Sequence, residues 1–420
     1  MIIERPLYLS KLIAGMGSNQ VKVVTGIRRC GKSFLLSDLF KPYLLAHGVP
    51  EGNVFQMAFD KYANKRYRDP EVFYPHVTEW LGATRGGGMR YVMLDEVQLL
   101  GDFSDILIDL MSMEDVDVYV TGSNAKLLSR DVVTEFRGRG REIAMAPLTF
   151  SEFMTAYDGD KRDGYVEYAT YGGLPAVLAE RTPEAKTDYL NGLFREIYIR
   201  DIVDRYEVRD PGNLETLIDV LASSIGSLTN STRLSATFKS EKRVTIASET
   251  IDLYISYLQD SFLVNRVKRY DVKGKRYIGT PFKFYFSDLG LRNARLNYRQ
   301  MEETHIMESV IYNELAGRGM GVDVGVVPIT QTGADGKAHR AQLEVDFVCN
   351  TGSKRYYIQS AYAIPDEEKR RQESRSLLRI DDAFKKVIVT KDGMAPHYDD
   401  NGVLWLNVFD FLLDPSSLDF

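Results

Sequence analysis

The chain has 420 residues, a net charge of −6, and 44% hydrophobic and 27% charged residues. These values exclude a disordered or fibrous protein and predict more than one domain. No apolar run approaches the ~20 residues that cross a bilayer, and charges interrupt the first apolar stretch, so we expect neither a signal peptide nor a membrane partner. Cys30 and Cys349 lie far apart, which excludes a disulfide framework or cysteine-built zinc site and indicates a reducing cytoplasmic location.

Charge is distributed unevenly along the chain. Residues 1–200 carry −3, residues 201–300 carry +4, and residues 301–420 carry −7. Because nucleic acid is bound largely through its phosphates, a DNA contact is expected in the middle block. The alternative is that an excess of four positive charges is ordinary variation.

Short apolar runs alternate with helical stretches between residue 20 and about residue 147. Strands are predicted at residues 21–25, 54–59, 91–94, 118–120 and 143–145, with a helix at 34–39. This alternation predicts βαβ units and an α/β fold with a mostly parallel, three-layer sheet. Pro147 closes the sheet, and Thr149 with Glu152 forms a capping box that opens a helical region reaching about residue 205.

The segment between the first strand and the first helix has the pattern G-x-x-x-x-G-K-S. Its glycines let backbone N–H groups turn toward phosphates, and the helix N-terminus adds a partial positive charge. Lys32 is expected to reach the β- and γ-phosphates of ATP, and the Ser33 hydroxyl to hold Mg²⁺. The predicted nucleotide-binding residues are Gly26, Ile27, Arg28, Arg29, Cys30, Gly31, Lys32, Ser33 and Phe34.

Two carboxylates follow the apolar strand at residues 91–94. Open α/β sheets bind their ligands at the carboxyl ends of the strands, where Asp95 and Glu96 lie. Asp95 is predicted to hold Mg²⁺, and Glu96 to polarise the attacking water. Such a pair alone often marks only a solvated strand end, but after a phosphate-binding loop it predicts ATP hydrolysis.

Polar residues also follow the strand at 118–120. Asn124 is predicted to orient the water or touch the γ-phosphate, with Thr121 or Ser123 as substitutes and a simple turn residue as the alternative. The basic loop that comes next can present an arginine to a neighbouring subunit's nucleotide. Arg139 is the first choice and Arg137 the second, and the alternative is a solvated basic loop.

Taken in order, GIRRCGKS, MLDEVQ, YVTGSNAKLLSR, FRGRGRE and YGGLP resemble a prokaryotic AAA+ ATPase family. Its members carry a winged-helix region and a C-terminal restriction-endonuclease-like domain, and the similarity runs the whole length of the chain. The resemblance implies domains at 1–205, 206–300 and 301–420. It also implies that Arg28 and Arg29 belong to a family-typical loop, that Asn124 is a sensor residue, and that Arg139 acts in trans at a subunit interface of a homo-oligomer.

Residues 206–300 are predicted to form the winged helix. Helices are expected at 214–224, at 234–239 and around 251–258, where apolar residues recur at helical spacing. Two strands, at 262–267 and 281–286, flank a basic turn. This arrangement can bind duplex DNA, and the alternative is a module that packs on other domains or on proteins. The candidate DNA-binding residues are Arg266, Lys268, Arg269, Lys273, Lys275 and Arg276.

Residues 301–420 resemble the restriction-endonuclease-like fold. Active members need a helical Glu, a strand Asp and an acid-x-Lys, whose carboxylates hold Mg²⁺ and whose lysine steadies the water and the phosphate. Glu308 and Asp346 match this pattern, but Gln359 stands where the acid belongs and Ala361 where the lysine belongs. An amide and a methyl group cannot replace those roles, so the sequence predicts a vestigial nuclease site.

Two functions therefore remain open. One is a DNA-associated AAA+ ATPase whose nucleotide state rearranges its winged-helix and nuclease-like domains. The other is an ATP-driven regulatory switch that recruits a protein partner, through its C-terminal domain, without DNA. The basic hairpin favours the first function, whereas the acidic last third and the missing lysine favour the second. An active ATP-dependent nuclease is the least favoured interpretation.

Overall fold

The computed structural model of the protein describes residues 2–84, 87–122, 138–332, 338–393 and 395–420. They divide into two units: the residues up to Pro147 together with Asp260–Phe262, and Leu148–Gln259 together with Leu263–Phe420. No helix in these ranges is long and apolar enough to cross a membrane.

A five-stranded sheet forms the centre of the first unit. Its strands are β1 (Val21–Thr25), β2 (Val54–Ala58), β3 (Arg90–Asp95), β4 (Val116–Thr121) and β5 (Gly140–Ala144). They lie in the order β2–β3–β4–β1–β5, and every pairing is parallel. Every residue of β1 and β4 is buried, as expected for parallel strands that are covered on both faces. The predicted parallel α/β sheet is therefore confirmed.

Helices cover both faces of this sheet. They are α1 (Pro6–Ile13), α2 (Lys32–Phe34), α3 (Lys41–Ala46), α4 (Pro70–Ala83) and α5 (Phe103–Ser112). A π-helical stretch, Leu35–Phe40, joins α2 to α3, so the helix after the phosphate-binding loop is longer than predicted. Helix α4 begins with Pro70 in its first turn, and the Asp69 side chain accepts a hydrogen bond from the Glu71 N–H at 3.0 Å.

An eight-stranded mixed sheet runs through the second unit. Its strands are β6 (Val264–Asp271), β7 (Arg276–Phe286), β8 (Gly321–Thr332), β9 (Ala338–Thr351), β10 (Lys354–Ala361), β11 (Lys385–Thr390), β12 (His397–Tyr398) and β13 (Leu404–Asn407). The order is β12–β13–β11–β10–β9–β8–β6–β7. Antiparallel pairs join β6 to β7, β8 to β9 and β9 to β10, whereas β10 and β11 are parallel.

The helices of the second unit lie mostly before this sheet in the chain. They are α6 (Phe150–Met154), α7 (Lys161–Tyr171), α8 (Pro183–Gly192), α9 (Arg200–Tyr206), α10 (Pro211–Ser223), α11 (Ser231–Thr237), α12 (Ser248–Asp260), α13 (Leu289–Arg295), α14 (Glu303–Gly317), α15 (Glu367–Ser374) and α16 (Val408–Leu413). Thr149 and Glu152 form the predicted capping box at α6. Helix α14 buries most of its side chains and packs against β8 and β10.

The structure contains the helices and the hairpin of the expected winged helix, but the hairpin is part of the larger sheet. Helices α10, α11 and α12 form close to their predicted positions, and β6 and β7 form the predicted hairpin. The hairpin does not stand free, because Arg269–Asp271 of β6 pairs in parallel with residues 324–326 of β8. This pairing satisfies backbone groups that a free wing would leave at a sheet edge. The expected border at residue 300 consequently falls between strands of one sheet.

Asp288 joins helix α13 to the loop that follows α7. Its buried carboxylate accepts hydrogen bonds from the Gly173 N–H at 2.8 Å and from the Leu291 N–H at 3.1 Å. Burial raises the pKa of Asp288 to about 6, although bonds from backbone N–H groups oppose the rise. A Cβ on Gly172, which has a φ of 80°, would lie 2.2 Å from an oxygen of this carboxylate. Gly172 of the YGGLP segment therefore makes room for a buried acid.

Replacing Gly172 by Ala should destabilise the second unit, because the new methyl group overlaps Asp288 and the φ angle is unfavourable for a side chain. We expect a loss of about 2–4 kcal/mol in the free energy of unfolding, measured by urea denaturation. Gly192→Ala is the matched control, since nothing lies within 4 Å of an added Cβ there. An unchanged unfolding midpoint for Gly172→Ala would show that the contact with Asp288 does not form in solution.

Candidate functional site

The loop between β1 and α2 has a backbone that favours glycine at two positions. Gly26 has a φ of 140° and Gly31 a φ of 103°. A Cβ on Gly26 would lie 2.1 Å from the Met145 carbonyl oxygen, so no other residue fits there. Arg29 also has a positive φ, of 67°, which few non-glycine residues adopt. A tight loop of this kind before a helix directs N–H groups to one side, as phosphate-binding loops do.

Lys32 lies against the loop that precedes it. The side chain is buried, and its Nζ donates hydrogen bonds to the carbonyl oxygens of Gly26 at 2.9 Å and Ile27 at 3.1 Å. Its positive charge is therefore beside the backbone that is expected to surround the phosphates. Lysine suits this position because it presents a compact point charge on a flexible stem.

Arg5 supports the loop from the start of α1, although no sequence motif predicts this role. The residue is 2% exposed. It donates to the carbonyl oxygens of Cys30 at 3.1 Å, Ala146 at 2.8 Å and Pro147 at 3.2 Å. One buried side chain thus ties the phosphate-binding loop to the chain that follows β5. A single arginine before a proline-initiated helix carries no pattern from which this role could be predicted.

Ser33 and Asp95, the predicted Mg²⁺ ligands, are brought together. The Ser33 Oγ donates to the Asp95 Oδ1 at 2.9 Å, and the Thr121 Oγ1 donates to the same oxygen. Burial raises the pKa of Asp95, and the charges of Glu96 and Asp60 raise it further, while the two hydroxyl groups oppose the rise. A hydroxyl and a carboxylate are hard oxygen donors, so this pair fits Mg²⁺.

Glu96 follows Asp95 in an unusual backbone conformation. Its φ is 51° and its ψ is 50°, which is the left-handed region that glutamate rarely adopts. The Glu96 N–H donates to the Thr121 Oγ1 at 3.1 Å, and the Gln98 Nε2 donates to the Glu96 Oε2. Strained backbone held by its surroundings is characteristic of functional sites. Thr121, an alternative to Asn124 in the sequence, therefore contacts the Asp95 carboxylate and the backbone N–H of Glu96.

Three predicted residues of the first unit remain: Asn124, Arg137 and Arg139. Asn124 and Arg137 fall outside the described residues, so their predicted roles stay predictions. Arg139 is exposed and precedes β5, and its carbonyl accepts from the Val21 N–H at 2.9 Å. Val21 begins β1 whereas the phosphate-binding loop follows the end of β1, about 15 Å further along the strand. Arg139 therefore lies at the opposite edge of the sheet from the nucleotide site of its own chain.

The basic hairpin of β6 and β7 is largely neutralised by neighbouring groups. Acidic partners lie within 4.0 Å of three of its six candidate residues: Arg266 with Asp252, Lys273 with Asp381, and Arg276 with Asp271. Arg269 is buried and donates to the Gln342 side chain at 2.8 Å. Lys268 and Lys275 are exposed, and no acid is described within ion-pair distance of either.

The predicted vestigial nuclease residues meet in the second unit. The Asp346 N–H donates to the Gln359 Oε1 at 3.4 Å, and the Ser360 N–H donates to the Asp346 carboxylate at 2.8 Å. Glu308 and Asp346 both lie near the ammonium group of Lys283, at 2.8 and 3.8 Å. The expected juxtaposition of Glu308, Asp346 and Gln359 is thus present.

Lys283 is the residue of this cluster that sequence reasoning missed. It is 3% exposed and also contacts Glu344 at 2.8 Å. Burial alone would lower the pKa of Lys283, but Glu308, Asp346 and Glu344 together raise it above the ordinary lysine value. Burial also raises the pKa of Asp346, and Glu308 adds to that rise. The sequence did contain one indication of this role. Lys283 lies between two buried phenylalanines of β7, so its side chain lies on the opposite face of the strand from theirs.

Comparison with known proteins agrees with the geometry of the first unit. A family model described as an AAA domain matches residues 18–154, and one described as a domain of unknown function (DUF8612) matches residues 162–302. An uncharacterized protein of Haemophilus influenzae is 32% identical over 420 residues, which are 98% of this chain and 99% of that protein. An uncharacterized protein of Methanocaldococcus jannaschii is 23% identical over 396 residues, covering 89% and 83% of the two chains.

Among solved structures, the Aeropyrum pernix ORC1 protein in complex with DNA is 14% identical to this chain. The match covers 71% of this chain and 93% of the ORC1 chain. Its TM-score of 0.28 is too low to carry a conclusion. The AAA family model, which matches the sheet and loop described above, identifies the first unit as a P-loop nucleotide-binding domain of the AAA type.

Replacing Lys283 by Met should destabilise the second unit, because it leaves three carboxylates together without their cation. At pH 7.5 we expect a loss of about 3–5 kcal/mol in the free energy of unfolding, measured in urea. The loss should be smaller at pH 5, since crowded buried carboxylates hold protons more tightly in the folded protein than in the unfolded chain. As the pH rises, these carboxylates lose the protons that stabilise the folded Lys283→Met variant.

Lys354→Met is the matched control. Lys354 pairs with Asp419 at 2.6 Å, but the two side chains are 60% and 56% exposed. Solvent and salt screen such a surface pair, so this variant should unfold almost as the parent does at both pH values. Equal effects of the two substitutions would contradict the role assigned to Lys283.

Proposed function

This chain belongs to the same family as its Haemophilus influenzae relative, and we propose that it binds ATP with Mg²⁺ and hydrolyses the nucleotide through the first unit, which matches the AAA-domain model. The proposal rests on the hydrogen bond of 2.9 Å between the Ser33 Oγ and the Asp95 Oδ1. That contact joins the phosphate-binding loop to the carboxylates at the end of β3. A loop that served only as a turn would have no reason to contact these carboxylates.

Each residue of the site has a separate task in this proposal. Lys32 neutralises charge on the β- and γ-phosphates, and Ser33 with Asp95 holds Mg²⁺. When bound, Mg²⁺ stabilises the negative charge that develops on the phosphate oxygens. Glu96 polarises the water that attacks the γ-phosphate, and Thr121 holds the Asp95 carboxylate and the backbone of Glu96 in place. Metal binding requires the ionised form of Asp95, whose pKa is raised, so affinity for Mg²⁺ should weaken in acid.

The remaining roles come from the family resemblance. Asn124 would sense the γ-phosphate, and Arg139 would reach the nucleotide of a neighbouring copy in a homo-oligomer. The exposed position of Arg139, at the sheet edge opposite its own nucleotide site, supports a role in trans over a role in cis. An Arg139→Ala protein that kept full ATP turnover would exclude the finger role.

Glu96→Gln should lower the turnover number for ATP by about 10²–10⁴ while leaving nucleotide binding intact, because the amide cannot accept the proton of the water. Lys32→Ala should weaken ATP binding itself. Steady-state phosphate release and binding of a fluorescent ATP analogue measure the two effects separately. The control is Glu79→Gln on the exposed face of α4, which should behave as the parent. Undiminished hydrolysis by Glu96→Gln would mean that the assigned site is wrong.

Duplex DNA is the second element of the proposed function, as an effector of the ATPase. Lys268 and Lys275 support it, because their charges are exposed and no acid is described within 4.0 Å of either. Helix α12, which a winged helix would place in a DNA groove, argues the other way. It carries Glu249, Asp252 and Asp260 and no basic residue.

The alternative is a nucleotide-driven switch that recruits a protein partner, supported by the acidic α12 and by the net charge of −7 over residues 301–420. In either case we propose that the nuclease-like cluster is vestigial. Gln359 and Ala361 replace the acid and the lysine, and Lys283 already supplies a cation to the remaining carboxylates. Metal-dependent nicking of duplex or branched DNA that disappears in Asp346→Ala would overturn this assignment.

ATP hydrolysis with and without duplex DNA separates the DNA and protein alternatives. If DNA is the effector, it should stimulate turnover, and Lys268→Glu combined with Lys275→Glu should weaken binding. The slope of log affinity against log salt concentration should then fall by about 2, as expected for two lost phosphate contacts. The control combines Lys61→Glu with Lys65→Glu, two exposed residues of the first unit, for the same change in net charge. Hydrolysis indifferent to DNA would favour the protein-directed switch.

A further inference from the structure

Gln98 lies two residues after Glu96, in the short helical turn Val97–Leu99, and its side chain turns back to the acid. The Gln98 Nε2 donates a hydrogen bond to the Glu96 Oε2. The amide oxygen of Gln98 is buried, and no hydrogen-bond partner for it occurs in the described ranges. Leaving a buried acceptor without a partner costs free energy, so such an atom requires an explanation.

The orientation of the amide group follows from charge. Turning it over would place its oxygen against the Glu96 carboxylate, where two acceptors repel each other. The nitrogen therefore faces Glu96. This contact is kept although it leaves the buried amide oxygen without a hydrogen-bond partner in the described ranges.

Two hydrogen bonds help to position Glu96. The Thr121 Oγ1 accepts from its backbone N–H at 3.1 Å, and Gln98 binds its carboxylate. The backbone contact fixes where the side chain starts, but the torsions of the side chain need a second contact to aim the carboxylate. A base that is misplaced by about 1 Å can lose on the order of 10²-fold in rate. Gln98 is thus placed to determine where Glu96 points.

We propose that Gln98 positions Glu96 during ATP hydrolysis. Its amide nitrogen holds the carboxylate that polarises the attacking water. The water oxygen bonds to the γ-phosphorus, the bond from that phosphorus to the bridging oxygen of ADP breaks, and Glu96 takes the proton. The inference rests on the proposed ATPase function and adds a residue that the phosphate-binding pattern does not contain.

The first test replaces Gln98 by Met, which is similar in length but has no amide group. We expect the turnover number to fall about 10- to 100-fold while the KM for ATP and the affinity for a non-hydrolysable analogue change less than about threefold. Gln56→Met, at an exposed position of β2, is the matched control and should behave as the parent. A turnover number for Gln98→Met within twofold of the parent would overturn the proposal, as would a loss confined to KM.

The second test uses pH and does not depend on the first variant folding. In Gln98→Glu the introduced carboxyl is ionised at neutral pH and repels Glu96, but in acid its O–H can donate to Glu96 as the amide does. The turnover of this variant relative to the parent should therefore rise as the pH falls from 8 to 6. A merely structural Gln98 would give a ratio that does not change with pH, and that result would overturn the proposal.

The two hypotheses can fail separately. If Glu96→Gln keeps hydrolysing ATP, the proposed hydrolytic site is wrong and Gln98 has no base to position. If Glu96→Gln is inactive while Gln98→Met retains turnover within twofold of the parent, the site stands and only the role of Gln98 is wrong.

Discussion

The parallel register of β1, β4 and β3 is the constraint on which the nucleotide site depends. Parallel pairing sets the strands side by side with their carboxyl ends at one edge, where Thr25, Thr121 and Asp95 end them. The phosphate-binding loop leaves this edge after β1, so the Ser33 hydroxyl can reach the Asp95 carboxylate across the end of β4. Thr121 ends β4, the strand between β1 and β3, and its hydroxyl contacts the Asp95 carboxylate and the Glu96 N–H. A slip in any of these pairings would separate the loop from the acids.

Buried charged groups with several partners recur throughout the chain. Arg5 fixes the phosphate-binding loop, Asp288 fixes the loop after α7, and Lys283 holds three carboxylates in the second unit. Each is costly to bury alone and is tolerated because hydrogen bonds or opposite charges surround it. Such groups are geometrically demanding, since the partners must converge from distant parts of the sequence. They specify one arrangement of the loops more sharply than apolar packing does.

The sequence predicted the first unit well because its signals are local. Apolar runs identified all five strands of the first sheet, and the G-x-x-x-x-G-K-S pattern located the loop that lies beside Asp95. Residues whose role depends on distant partners were not predictable. Arg5 and Lys283 carry no motif, and the inclusion of the β6–β7 hairpin in the larger sheet follows from its pairing with β8. Gln98 was part of a family motif, but only the direction of its side chain points to Glu96.

The balance of charge at the nucleotide site determines whether the proposed reaction needs a further positive group. Asp60, Asp95 and Glu96 lie close enough for their charges to interact, and Lys32 with the loop arginines Arg28 and Arg29 supplies a similar number of positive charges. A near-neutral site gains negative charge when ATP binds, even with Mg²⁺ attached, and more develops at the γ-phosphate during transfer.

A further cation is therefore useful at the transition state. Arg139 cannot fill this role within its own chain, because it lies beside Val21 at the other edge of the sheet. In an assembly of identical copies, the same exposed edge of one copy can face the nucleotide of the next, which is a head-to-tail contact. Hydrolysis would then depend on assembly, so the location of one arginine gives a physical reason for the proposed homo-oligomer.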